Sequence, residues 1–366
     1  MTRRAYAHRL PMSAPDDVSA LEAAFASGAI QPRGVVAILG KTEGNGCVND
    51  FSRGFATRAL WDALARAGAD PGDVCLVMSG GTEGGLSPHI LVLEARETGE
   101  HAQGAALAFG RARTPAVAPE QIGRLAQVDL VAEGVLRAIA DAGLDAADDA
   151  HFVQIKCPLL TAERIAEAER RGAATATRDT LKSMAFSRAA CALGVAVALG
   201  EVSRGALSEA DIGANFALYS GRASTSAGVE LVDHEIVVLG ASTNWAGPLR
   251  VDHAVMADAL DIEPVRAALS RLGLGADGQL KLTQQDRLVA LLAKAEASSH
   301  GTLRGRRHTM LNDSDISSTR HARAFVAGAL GGLVGHAEIY VSGGAEHQGP
   351  DGGGPVAIIA HNGVFI

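Results

Sequence analysis

The sequence predicts an α/β fold built from three structural repeats. Three observations lead there. Short apolar, β-like runs alternate with Ala/Leu/Gly-rich helical stretches along the whole 366-residue chain. A small-residue turn after a β-like run recurs three times. Lysine, arginine and serine also follow one another in the same order three times.

In the first unit, the apolar run at 35–40 ends in Lys41, and Phe51-Ser52-Arg53-Gly54 opens a helical stretch. The β-like run at 74–78 then enters the turn Ser79-Gly80-Gly81, and Ile90-Leu91-Val92-Leu93 closes the unit. In the second, residues 152–155 end in Lys156, and Phe186-Ser187-Arg188-Ala189 leads a helix. Ser226-Ala227-Gly228 is a weaker copy of the turn, and the run at 236–239 follows. In the third, residues 288–293 end in Lys294, Ser318-Thr319-Arg320-His321 opens the helix, and the run at 337–341 enters Ser342-Gly343-Gly344 before the run at 356–359. These echoes place the units at 1–104, 111–248 and 253–366, the second enlarged by a charged helical insert at 161–171.

The chain is 47% hydrophobic and 20% charged, enough to bury a core. A net charge of −8 argues against a nucleic-acid coat or an anionic membrane surface as partner. Glycine is unusually common, 43 residues, without a collagen period, so it marks tight turns and close backbone approaches. The four cysteines (47, 75, 157 and 191) form no C-x-x-C pair, which speaks against a disulfide framework or a structural zinc site. The longest apolar runs, near 189–200 and 324–334, are about a dozen residues, too short to span a bilayer. No secretory signal is visible, and a cytoplasmic protein is expected.

Only five of the 33 basic residues are lysine, and three of the five fall at the same place in the repeat. Arginine cannot readily lose its proton, whereas a desolvated lysine can. A Ser-Gly-Gly turn alone is ordinarily only a turn, and a strand-end lysine is ordinarily a solvated charge. The threefold recurrence in one order is what points to a shared site on a pseudo-threefold axis. A neutral lysine can activate a serine, and a strand end leading into a glycine-rich turn offers N–H groups to an oxyanion. Arginines would bind carbonyl oxygens or an anionic ring. The expected substrate is small, planar and rich in carbonyls.

The long motifs then become recognisable. Gly40-Lys41-Thr42-Glu43-Gly44-Asn45-Gly46-Cys47-Val48-Asn49-Asp50 resembles the opening motif of the cyanuric acid hydrolase and barbiturase family of ring-opening amidohydrolases. So does Met78-Ser79-Gly80-Gly81-Thr82-Glu83-Gly84, continued to Ser87-Pro88-His89. The run from Val341 through Ser342, Glu346, Gln348 and Pro350 to Pro355 looks like the family's ending. The resemblance spans the whole chain in order. It implies three repeats with sheets inside, forming a barrel-like core, and helices outside. It also implies three pairs: Lys41/Ser79, Lys156/Ser226 and Lys294/Ser342. Ser226 would be the nucleophile and Lys156 its base. Ser79, Ser342 and the turn residues Gly80, Ala227 and Gly343 would bind substrate oxygens together with Arg53 and Arg188. The third arginine is Arg320 by repeat alignment, or Arg323 one helical turn on; only one is expected in the site.

The implied reaction is hydrolytic opening of cyanuric acid to carboxybiuret, which decarboxylates to biuret. Two alternatives stand beside it: a barbiturase making ureidomalonate, and a non-catalytic binder of planar anions. The resemblance further implies a homotetramer and a structural metal. Its ligands would be the Glu296 carboxylate and the carbonyls of Ala345, Gln348, Gly349, Pro350 and Gly353, an all-oxygen set suited to Mg²⁺ or Ca²⁺. No organic cofactor is expected. Asp233-His234-Glu235 looks metal-like but has no H-x-x-x-H partner.

Overall fold

The computed structural model describes residues 2–83 and 85–363; Gly84 of the second motif and the outermost ends of the first and third units lie outside them. The chain begins with strand β1 (Thr2–Pro11), helix α1 (Ser19–Ala26), β2 (Val35–Thr42), α2 (Phe51–Arg66), β3 (Cys75–Gly80) and β4 (His89–Thr98). It continues with β5 (Ala106–Arg113), α3 (Leu125–Ala142), β6 (Ala150–Pro158), α4 (Ala162–Arg170), α5 (Thr180–Ala198), β7 (Ala223–Gly228), β8 (Glu235–Ser242) and the short β9 (Trp245–Ala246). The last third holds β10 (Leu249–Met256), α6 (Glu263–Arg271), α7 (Leu282–Gln285), β11 (Leu288–Ala295), β12 (Thr302–Leu303), β13 (Arg306–Arg307), α8 (Ser318–Val334), β14 (Tyr340–Gly343) and β15 (Gly354–His361).

Three main sheets share one strand order: β3-β2-β4-β1, β7-β6-β8-β5 and β14-β11-β15-β10, with β9 appended to β1. In each, the lysine strand and the serine strand run parallel, and the other neighbours are antiparallel, apart from the short β9, which runs parallel to β1. A parallel pair needs a long crossover, and helices supply it: α2 in the first unit, α4 and α5 in the second, α8 in the third. Each lysine strand also carries a register shift at the same distance before its lysine: 35/37, 150/152 and 288/290. A repeated bulge of this kind re-aims the strand end, here the end that bears the lysine.

The lysine and serine strands, and β8 and β15 beside them, are buried on both faces over most of their length, as their near-continuous apolar runs require, whereas β1 and β10 are only half-buried. One inner cluster draws on all three sheets, among others Leu39, Val77, Phe109, Phe152, Leu239, Leu292 and Tyr340. Helices cover the outer faces. Leu60 and Leu64 of α2 pack with Ile38 and Met78; Val326 and Leu330 of α8 pack with Leu291 and Ile358. A closed barrel is not formed among the described residues: the strands pair into separate sheets whose serine strands β3, β7 and β14 are edges.

The apolar run near 189–200 lies in a helix longer than the run itself. α5 is 19 residues long and passes as a span by length and composition, longer than the apolar run anticipated. Yet 61% of that window is buried inside the fold, with Cys191, Ala192 and Val195 in the inner cluster. It is a core helix of the second unit.

Candidate functional site

The exposed edge of a sheet presents unpaired N–H and C=O groups that must find partners. Here the partners come from the next unit. Lys156 Nζ donates to the Met78 carbonyl at 2.8 Å, and Glu235 Oε2 accepts from Leu76 N at 2.8 Å, both on β3. Lys294 Nζ donates to the Thr225 carbonyl at 2.8 Å, and Gln348 Oε1 accepts from Thr225 N at 2.7 Å, both on β7. Completing the edges thus draws the lysine and serine strands of all three units to one place.

Registers place Lys41 beside Ser79, Lys156 beside Ser226 and Lys294 beside Ser342. The three hydroxyls converge: Ser342 Oγ lies 3.2 Å from Ser79 Oγ and 3.3 Å from Ser226 Oγ. Around them is a small polar cavity. Its lining includes the three serines, Gly80, Ala227, Gly343, Arg53, Arg188 and Arg323. Arg320 is absent from that lining; its side chain is 36% exposed and its Nε stands 3.6 Å from Glu83. Aligning the arginines by the start of their helices misplaces the third by one turn, because each helix enters at a different depth.

The three lysines are buried. Burial, with Arg323 as a second cause, holds Lys41 well below the ordinary lysine range. Burial and then Arg188 lower Lys294 to about 7. Lys156 is lowered by burial too, but a carboxylate opposes the shift: Glu230 Oε1 stands 3.0 Å from its Nζ. Lys41 reaches Ser79 Oγ at 3.4 Å and Lys294 reaches Ser342 Oγ at 3.2 Å. Lys156 is turned instead to Met78 and Glu230, so the pair expected to be catalytic is the one whose lysine is directed away from its serine.

The sequence reading missed three glutamates. Glu83, Glu230 and Glu346 each follow their serine by four residues, a spacing visible in the sequence once the three turns are superimposed. Glu83 is gripped at two points by Arg323, and Glu346 by Arg188 at 2.8 and 2.6 Å. Each bridge joins neighbouring units: α8 to the first turn, α5 to the third. Such forks fix a guanidinium in orientation as well as charge. Arg53 has no fork. It donates to the carbonyls of Cys47 at 2.7 Å and Ala227 at 3.3 Å, and its buried Nε has no partner among the described residues.

Local sequence explains the turns. Gly81 (φ +95) and Gly344 (φ +78) sit in left-handed conformations. A Cβ on Gly81 would come within 2.1 Å of Arg323, and one on Gly344 within 2.5 Å of Arg188. Asp50 caps α2 through Ser52 N and also accepts from Gly46 N at 2.7 Å, which seats the glycine-rich loop beside the cavity.

The donor set expected for a metal is chemically apt. Glu296 and Glu346 are half-buried, and repulsion from Glu346 adds to burial in pushing the Glu296 carboxyl up. They share Arg188 and Lys294 as cationic neighbours. A further positive charge would suit them where Lys294 is neutral. The 345–353 loop is held as turns by Gln348 N→Ala345 O and Gly353 N→Pro350 O. The Gln348 side chain is committed to Thr225 N and the Gly344 carbonyl, which leaves its backbone oxygen as the donor. Elsewhere, His151, Asp252 and His253 cluster, but Arg271 already holds both Asp252 oxygens, at 2.5 and 3.1 Å. His234 of the metal-like tripeptide is buried and bonded to Thr114 and Gln127.

A strand-edge site of paired serines and buried lysines, ringed by arginines, belongs to a recognisable class. The ring-opening amidohydrolase protein family matches residues 6–361, and the chain belongs to it. The relatives say more. The chain is 62% identical over 363 residues to the cyanuric acid amidohydrolase of Bradyrhizobium sp. (strain ORS 375), covering 98% of both chains. It is also 62% identical over 354 residues to the cyanuric acid amidohydrolase of Azorhizobium caulinodans, 96% of this chain and 97% of that one. The crystal structure of the A. caulinodans cyanuric acid hydrolase superposes with a TM-score of 0.91 at 60% identity, covering 98% and 99% of the two chains. A second cyanuric acid hydrolase structure, described as evolutionary innovation by structural concatenation, has a TM-score of 0.94 at 46% identity, over 99% and 100%.

Proposed function

We propose that this chain is a cyanuric acid amidohydrolase, opening the s-triazine ring to carboxybiuret, which then loses CO₂ to give biuret. The observation that carries the reading is the meeting of three serine hydroxyls beside three buried lysines in a small cavity lined by three arginines. Cyanuric acid has three equivalent carbonyls, and a pseudo-threefold site formed by units 1–104, 111–248 and 253–366 matches it.

In the proposed mechanism, Lys156 in its neutral form takes the proton of Ser226. The Ser226 oxygen bonds to a ring carbonyl carbon. Ser79, Ser342, turn N–H groups and the arginines stabilise the oxyanion. The ring C–N bond breaks, and the Lys156 ammonium returns its proton to the departing nitrogen. Water then cleaves the acyl-enzyme and restores the serine. Support for Ser226 is its exposure, 8% against 5% for Ser79 and 2% for Ser342, and the unpartnered Nε of Arg53, whose guanidinium lies beside Ala227. A second reading makes Ser342 the nucleophile, favoured by its direct contact with Lys294, whose pKa is near neutrality.

Glu296 and the carbonyls of Ala345, Gln348, Gly349, Pro350 and Gly353 would hold a Mg²⁺ or Ca²⁺ that neutralises the paired carboxylates and stiffens the C-terminal loop, away from the chemistry. A cytoplasmic homotetramer is the proposed working form. The test measures disappearance of cyanuric and of barbituric acid side by side. Loss of cyanuric acid alone is expected. Barbituric acid alone would move the substrate to the barbiturase reading, and binding without turnover would leave an anion binder. Ser226→Ala should lower kcat by more than about 10³-fold; a larger loss in Ser342→Ala than in Ser226→Ala would transfer the nucleophile to the third unit.

A further inference from the structure

The three glutamates that follow the serines are not equivalent, and the difference lies in the second unit. Glu83 and Glu346 are bound by arginine forks that cross from one unit to the next. Glu230 has no such fork and instead meets the lysine of its own unit, with Nζ and Oε1 at 3.0 Å. The Lys156 side chain is buried and that of Glu230 is only 18% exposed, so solvent screens the pair weakly. Gly228 is small where a Cβ would stand 2.1 Å from the Glu230 carboxylate, so the turn is shaped around that side chain.

We infer that Glu230 is a positioning residue that, through its ion pair 3.0 Å away, sets the proton affinity of Lys156 and so tunes the base of the second dyad. This rests on the Ser226/Lys156 reading above. A base that must also return its proton to a leaving nitrogen works best when its pKa lies near the operating pH. Burial, with a neighbouring cation, drives a lysine far down, as at Lys41 beside Arg323, which makes it a weak base. The adjacent carboxylate offsets part of that loss at Lys156. The charged and titratable groups facing the pair are Arg53 from α2, Arg164 from α4 and Cys157 from β6. Glu235, opposite Lys156 in register, is turned away to Leu76 N and Arg113.

The sign follows from charge. Removing a carboxylate destabilises the ammonium, so the Lys156 pKa falls and the neutral base is reached at lower pH. An opposite charge at this range shifts a pKa by about 1–3 units. In Glu230→Gln, the acidic limb of kcat against pH should therefore move down by about one unit or more, with kcat on the plateau reduced. With only five lysines in the chain, the Lys156 titration can also be followed directly by NMR of isotopically labelled lysine, assigned with Lys156→Met. It should move with the kinetic limb. Glu83→Gln, which loosens Arg323, should raise KM and leave the limb in place. A folded Glu230→Gln whose Lys156 titrates as in the parent protein overturns the inference. If Lys156→Met retains turnover, the dyad reading fails instead; if Lys156→Met is inactive and the Glu230→Gln limb is unmoved, only the role of Glu230 fails.

Discussion

Replacing Gly81 by alanine tests whether the serine turn and the third arginine form one unit. The perturbation is a single methyl group. At φ +95, alanine is in a region that costs an L-residue about 1–2 kcal/mol. The new Cβ would stand 2.1 Å from Arg323 Nη2, 2.5 Å from its Cζ and 2.7 Å from Glu83 Oε1. Arg323 is 3% exposed and enclosed, so it cannot swing clear without loosening its fork with Glu83. Weakening hydrogen bonds between charged groups costs about 1.5–3 kcal/mol. Gly81→Ala is thus expected to lose roughly 3–5 kcal/mol of stability and, because Arg323 lines the cavity, to raise KM for cyanuric acid. Gly328→Ala, inside α8, is the control: nothing lies within 4 Å of its Cβ and helical backbone suits alanine, so it should neither lower stability nor raise KM. Denaturant unfolding and steady-state turnover of both variants decide the matter. Parental stability and KM in Gly81→Ala would refute the coupling of turn and arginine.

Two further outcomes are expected. Arg323→Ala strips a buried carboxylate, Glu83, of its fork and should cost about 3–5 kcal/mol, whereas Arg320→Ala, partly exposed and only 3.6 Å from the same glutamate at its nearest, should stay within about 0.5 kcal/mol; unfolding curves of the pair distinguish them, and equal losses would contradict the assignment. Dialysis against a chelator should lower the melting temperature if the Glu296 site holds a hard cation, and added Mg²⁺ or Ca²⁺ should restore it without altering KM, with elemental analysis giving about one ion per chain; a chelated protein with unchanged melting would remove the metal from the scheme.

Much of this protein was legible in the sequence, because local rules carry it. Apolar runs at 35–40, 152–155 and 288–293 became the strands of Lys41, Lys156 and Lys294, and the small-residue turns became the ends of the serine strands. Repetition of chemistry at fixed order is a one-dimensional signal and needs no contacts to be read. The glutamates after each serine were written there too, and were missed because each looks like an ordinary turn residue until the three turns are superimposed.

Tertiary structure decided what depends on depth and direction. Helix periodicity places Arg320 and Arg323 on nearly the same face, but only the packing of α8 against the first turn selects Arg323 for the cavity. The apolar run near 189–200 reads as too short for a span; only the structure shows it inside the longer helix α5, whose burial makes it a core helix. The closed barrel was likewise a matter of inter-sheet hydrogen bonds, which no strand's own sequence specifies. Most of all, the sequence gives three lysines one place in the repeat, whereas their proton affinities differ because desolvation and neighbouring charge act through space. Lys41 faces Arg323, Lys294 faces Arg188, and among the described residues Lys156 alone of the three touches a carboxylate.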